Sequence, residues 1–173
     1  MRFIKHDERG WHLDAYLHYV EEYKARFPDG AREFISQPWH FDIAHHQCPH
    51  DAWLENFTVR EAGSGPKRPR KIEMVFRFLG AYHDGYFELT YMDVSAYTLE
   101  WQPAAWQKMG HSDWIVDEIT IDETNGIVHE ILFPEARWII RCADLQYRWF
   151  PLGMRLSVLR KIRAIVQRYR EGP

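Results

Sequence analysis

Trp114-Ile115-Val116-Asp117-Glu118-Ile119-Thr120-Ile121, then Asp122-Glu123-Thr124-Asn125-Gly126, then Ile127-Val128-His129-Glu130-Ile131-Leu132-Phe133 is the stretch on which the fold turns. Two runs of alternating apolar residues flank a short polar turn, the signature of an antiparallel hairpin. With the turn at Asp122–Gly126, residues whose numbers sum to 248 face each other. Ile121 then pairs with Ile127, Ile119 with His129 and Asp117 with Ile131. Asp117 and His129 become diagonal neighbours on one apolar face, within reach of each other. Pro134-Glu135 turns the chain again, and Arg137–Cys142 makes a third strand that brings Arg141 near His129 or Glu130. Charged groups on an apolar face must be paired, so Asp117, His129 and Arg141 are expected to form a buried polar network. A register one residue away would turn Glu118 and Glu130 inward instead.

The same period of two extends upstream. Trp53, Glu55, Phe57 and Val59 alternate, as do Ile72, Met74, Phe76 and Phe78. His83-Asp84-Gly85 is a hairpin turn before Phe87, Leu89 and Tyr91. Val94–Trp101 and Leu145–Phe150 add two more strands. Helical spacing of Leu13, Leu17, Val20 and Phe27 predicts a helix over 10–27, stopped at Pro28-Asp29-Gly30, with one more turn over Ala31–Ser36. A second helix is predicted over 152–170, where Met154, Val158, Ile162, Ile165 and Tyr169 share a face. The expected fold is therefore α+β in a single domain, 1–173. An antiparallel meander sheet of about seven or eight strands over 52–150, curved or partly closed, lies between an N-terminal and a C-terminal helix.

The longest runs free of Asp, Glu, Lys and Arg are eight residues, Phe34–Phe41 and Ile43–His50, far below the roughly 20 a spanning helix needs. The first residues lack the apolar core of a signal peptide, so a cytoplasmic location is the expectation. Cys48 and Cys142 do not make a disulfide framework. The chain carries −3 in total, but residues 152–170 hold six basic groups and no acid, which leaves −9 on the rest. An acidic body steers towards basic partners. Lys67-Arg68-Pro69-Arg70-Lys71 lacks the aromatic motifs of nucleic-acid binders, so no nucleic acid is favoured. No Gly-x-Ser-x-Gly elbow or phosphate loop occurs.

The densest chemistry lies in the loop 37–50 and just beyond it. His40, Asp42, His45, His46 and His50 are all acceptable ligands for a divalent metal, which is the one cofactor the sequence suggests. Their spacing matches no zinc signature. His40-x-Asp42 has the form of one arm of a two-histidine, one-carboxylate iron site, with His129 and Arg141 available to complete it.

His50-Asp51-Ala52-Trp53-Leu54, opening the first long strand, is followed by Ile72–Phe78, Phe87–Tyr91 and Asp117-Glu118-Ile119. Over residues 48–150 this pattern resembles small bacterial proteins of unassigned function. Some of these sit beside polymorphic toxins and are regarded as immunity proteins. The resemblance implies a non-enzymatic protein that binds a protein partner, and it transfers no catalytic residue. The acids Asp113, Asp117, Glu118, Asp122 and Glu123, continued by Glu130 and Glu135 with no Lys or Arg between 111 and 135, are the expected surface for a basic toxin. Two alternatives remain open. One is a metal-dependent or small-ligand enzyme using the loop 40–51. The other is a small-molecule binder whose sheet cavity is lined by Trp53, Phe76, Phe87, Tyr91, Trp101 and Trp114. The apolar stripe of helix 152–170 is expected to pack across the sheet or on the N-terminal helix, with any surplus forming a homodimer contact.

Overall fold

A computed structural model describes residues 1–63, 69–102, 110–124 and 126–152. The C-terminal helix expected over 152–170, and any dimer contact it makes, lie outside the described residues apart from Leu152. The chain opens with a small hairpin, β1 (Lys5–Asp7) and β2 (Gly10–His12). There follow α1 (Asp14–Tyr23), a single 3-10 turn (Lys24–Arg26) and α2 (Asp29–Ile35). The helix expected over 10–27 is thus shorter at both ends. Gly10 sits at φ 110°, which only glycine adopts readily, and residues 10–12 are extended. Phe27 is extended as well (ψ 142°), because the residue before a proline is pushed out of the helical region. Asp29-Gly30, expected as part of a stop, instead opens α2.

Eight longer strands follow: β3 (Trp53–Ala62), β4 (Lys71–Leu79), β5 (Gly85–Met92), β6 (Ala96–Trp101), β7 (Val116–Ile121), β8 (Ile127–Leu132), β9 (Ala136–Cys142) and β10 (Asp144–Pro151). They do not form the single meander sheet expected, and they close no barrel. They divide into two antiparallel sheets of four, ordered β10-β5-β4-β3 and β6-β9-β8-β7. The chain changes sheets where the backbone turns sharply. Asp93 takes φ 53°, Val94 still donates to Ile72 O in the first sheet, and Ser95 already donates to Arg141 O in the second. Ala143 donates back to Met92 O, and β10 then runs along β5 from Asp144↔Met92 to Pro151↔Gly85. The hairpin β7–β8 has the expected register, Ile121↔Ile127, Ile119↔His129 and Asp117↔Ile131.

Rings from both inner faces fill the space between the sheets. Phe76 lies 5.1 Å from Trp138, Phe78 5.2 Å from Trp114, and Tyr91 5.7 Å from His129. Hence β4 faces β9 and β5 faces β8. The strand orders then place β10 and β7 on one flank, and β3 and β6 on the other. Phe76, Phe87, Tyr91 and Trp114 are fully buried packing residues, whereas Trp53 and Trp101 are exposed, so the six do not enclose a common cavity.

The two flanks are treated differently. On the β10/β7 flank, α1 and α2 cover the strand edges. The Tyr16 hydroxyl donates to Ile119 O and accepts from Ile119 N (3.2 and 2.8 Å), and the Tyr19 hydroxyl accepts from Ile121 N at 3.0 Å. Edge groups of β7 that would otherwise face no partner are satisfied by helix side chains. The Asp144 carboxylate of β10 accepts from Gly30 N and Ala31 N at 3.0 and 2.9 Å. On the other flank, Phe57 and Val59 lie opposite the buried Phe76 and Met74, and Tyr97 and Trp101 opposite Ile140 and Ala136. All four therefore point to the inner face, yet they are 42–49% exposed.

The seating of α2 on β10 tolerates no side chain at Gly30, where an added Cβ would lie 1.9 Å from Leu145 O. Gly30→Ala should lower the unfolding free energy by about 2 kcal/mol, in the range of overpacked sites. Urea denaturation measures this directly.

Candidate functional site

Asp117 sits on β7, on its inner face, and is 1% exposed. A lone carboxylate there would be prohibitive, and two histidines resolve it. His40 Nε2 lies 3.1 Å from both carboxylate oxygens, and His129 Nε2 lies 3.1 Å from Oδ2. The chain of contacts continues at both ends. His40 Nδ1 is 3.2 Å from Phe34 O, and His129 Nδ1 is 2.8 Å from the Tyr91 hydroxyl. His40, His129 and Tyr91 are each at most 2% exposed.

Donor counting fixes the charge of His40. Both partners of His40, a carbonyl and a carboxylate, can only accept, so both its ring nitrogens donate, which is the bonding pattern of an imidazolium. Burial pushes the Tyr91 phenol well above its ordinary value, so its O–H stays a donor. Its oxygen can donate to or accept from His129 Nδ1, while His129 Nε2–H donates to Asp117. The buried anion thus meets the His40 cation and a donor from His129. Burial by itself raises the Asp117 carboxyl, but the charge of His40, the hydrogen bonds from His129 and His40 and the charge on His129 outweigh it and hold the group well below the usual carboxylate range.

Arg141 is not part of this network. β8 and β9 pair His129 with Ile140, so Arg141 falls on the opposite face, where its Nη1 lies 3.2 Å from Asp122 Oδ1. Placing it near His129 was an error of parity.

The five candidate metal ligands do not converge. His40 is turned inward, while Asp42 is exposed and accepts from Ala44 N at 3.0 Å. His45 stacks on Trp39, His46 Nδ1 meets Asp84 Oδ2 at 2.5 Å, and His50 Nδ1 meets Asp51 at 3.1 Å. The iron arrangement fails on the same geometry, since His40 and Asp42 part company and His129 and Arg141 lie on opposite faces. Among the described residues, no group of three or more His, Cys, Asp or Glu could hold a metal. Cys48 donates to His40 O at 3.2 Å, and burial pushes its thiol up to about 11, so it is no thiolate nucleophile at neutral pH.

The acidic stretch also divides. Glu118 faces away from Asp117 and accepts from the backbone N–H groups of Arg2, Phe3 and Ile4 at 2.7, 2.7 and 2.8 Å. Asp122 accepts from Glu123 N and pairs with Arg141. Glu123 remains exposed, and Asp113 is half-buried. Only Glu123 and Asp113 of the five are left for a partner. The sequence reading missed the edge-bonding Tyr16 and Tyr19 and the backbone clamp of Glu118. Their signals were present: hydroxyls three residues apart on one helix face, and a carboxylate inside an apolar strand.

A cavity of about 430 Å³ opens on the β3/β6 flank, lined by Trp53, Leu54, Gly110, His111, Ser112 and Asp113. His111 lies 5.2 Å from Trp138 and 5.7 Å from Trp101, and burial pulls its imidazole below the ordinary value, so it is neutral at pH 7. Together with Phe57, Val59, Tyr97 and Trp101, this makes an apolar trough along the open flank. Of the acids nearby, Asp113 lines the cavity and Glu61 pairs with Arg70, while Glu55 pairs with Arg77 and Glu100 lies opposite Arg137 on the outer face.

Asp117→Ala leaves the His40 cation buried without its anion and should cost about 3–5 kcal/mol. Asp117→Asn should give a distinctive acid profile. The carboxyl is depressed in the folded state, so its stabilisation is complete above the usual carboxylate range and is lost as pH falls below it, because the unfolded chain takes up the proton first. Urea midpoints of wild type and Asp117→Asn should therefore draw together between pH 5 and pH 2. No protein-family model matches this chain, and no curated protein and no solved structure shows significant similarity to it.

Proposed function

We propose that the protein is a non-enzymatic binding protein that engages a basic protein partner, in the manner of a toxin-immunity protein, and that the open flank is the surface it uses. The observation that carries this reading is the exposure of inner-face side chains on both β3 and β6. Uncovered apolar patches on a folded protein mark interaction surfaces. Edge strands are also places that natural proteins normally protect. The charge of −9 on the chain outside residues 152–170 adds the preference for a basic partner. By contrast, the residues with the richest chemistry, His40, Asp117, His129 and Tyr91, spend their hydrogen bonds on one another, away from solvent.

A second reading rests on a different feature. A cavity of about 260 Å³ beside the buried network is lined mainly by Trp11, Leu13, Phe41, Ile43, Trp114 and Ile115, and a small apolar ligand would fit it. Ile43 is exposed at this cavity, so Ile43→Trp should fill it without disturbing the fold.

Affinity for the protein encoded beside this one, measured by calorimetry, tests the leading reading. Val59→Glu with Tyr97→Glu should weaken binding at least about tenfold, as for a central apolar contact. Binding by the unsubstituted protein should also weaken as salt rises, because steering between an acidic and a basic surface is screened. Affinity indifferent to both changes would remove the reading.

A further inference from the structure

We infer that the cavity of about 260 Å³ beside the buried network takes a small neutral aromatic molecule carrying one N–H or O–H donor, an inference that rests on the second reading above and deepens it. Three rings from separate segments wall the cavity: Trp11 of β2, Phe41 of the loop after α2, and Trp114 just before β7. Trp114 is 1% exposed, whereas Trp11 and Ile43 are 38% and 66% exposed, so the cavity has a buried end and an open one. An apolar cavity of about 150 Å³ holds benzene. The larger volume here suits two fused rings, and planar rings stack or meet edge-on against aromatic walls.

The polar groups of the lining decide what else the ligand must carry. His40 and Asp117 both line the cavity. His40 has no donor to spare, since Nδ1–H goes to Phe34 O and Nε2–H to Asp117. Cys48, also on the lining, gives its S–H to His40 O. Asp117 is different. A carboxylate has about four lone-pair sites. Two N–H groups reach it, from His40 and His129, and both meet Oδ2 at 3.1 Å. Oδ1 has only its share of the His40 hydrogen, also at 3.1 Å. The unused capacity is therefore that of an acceptor, and its complement is a donor. Net charge on the ligand is disfavoured in either sign. An anion would meet Asp117 with no free donor to receive it. A cation would give up its water in an apolar space where Asp117 already has its counter-charge in His40. The remaining titratable group on the lining, half-buried His50, pairs with Asp51 at 3.1 Å.

The test uses the full chain and three probes: indole, benzothiophene, which has the same shape without an N–H, and indole-5-carboxylate. Indole should bind saturably, a single molecule per chain, in a calorimetric titration, and should shift the side-chain N–H resonances of Trp11 and Trp114. Benzothiophene should bind at least about tenfold more weakly, because a hydrogen bond to a charged acceptor is lost. The carboxylate should bind more weakly still. Ile43→Trp should abolish indole binding while circular dichroism and the melting temperature show the fold intact. Indole binding that survives this substitution, or that leaves Trp11 and Trp114 unshifted, would put the ligand elsewhere and overturn the inference. Equal binding by the carboxylate would overturn it too, because the site would then accept an anion. If benzothiophene binds as tightly as indole, the inference fails and the reading of an apolar-ligand cavity stands. If none of the three binds, the inference and that reading fall together.

Discussion

A buried carboxylate that needs a cation holds this architecture together. Asp117 lies between the two sheets and the α layer, and His40, early in the loop that follows α2, gives it a counter-charge. The loop must therefore close onto β7, and in doing so it brings Trp39, Phe41 and Cys48 against the sandwich. Its neighbour in sequence has the mirror role. Glu118 points the other way and gathers three backbone N–H groups of Arg2, Phe3 and Ile4. Two consecutive acids on one strand thus fasten both ends of the N-terminal segment. Pairing with hydrogen-bond donors is what makes either charge tolerable at that depth.

This fastening produces the asymmetry of the sandwich. Sheet edges expose rows of backbone donors and acceptors, and the α layer quiets one pair of edges with tyrosine hydroxyls and a capped helix. The other pair receives no such cover from the described residues. The same chain therefore contains a worked example of a closed flank beside an open one. The comparison is internal, so it does not depend on any relative.

Much of the sheet was legible in the sequence, because alternation and turn residues are local. The β7–β8 register followed from Asp122–Gly126 alone, and with it the closeness of Asp117 and His129. Arg141 was misplaced by one position, since a hairpin turn of uncertain length leaves the face of the third strand undecided. The partition into two sheets was not legible either. Alternation tells which side of a strand is buried but not which strand lies beside it, and β10 looks the same whether it follows β9 or returns to β5. The pairing of His40 with Asp117 spans 77 residues, and nothing local announces it. The histidine cluster drew attention for the right reason, polar groups of strong chemistry, but only one of its members was destined for the interior.

That separation has a consequence for how the protein is made. Chains emerge from the ribosome at about 5–20 residues per second, so roughly 4–15 s pass between the appearance of His40 and that of Asp117. During that interval the residues of α1 and α2 have no strand edges to pack on, and helices of ten and seven residues are marginal alone. Tyr16, Phe34 and Ala31, fully buried later, have nowhere to go. Nascent chains of this protein therefore carry these apolar side chains uncovered for that interval.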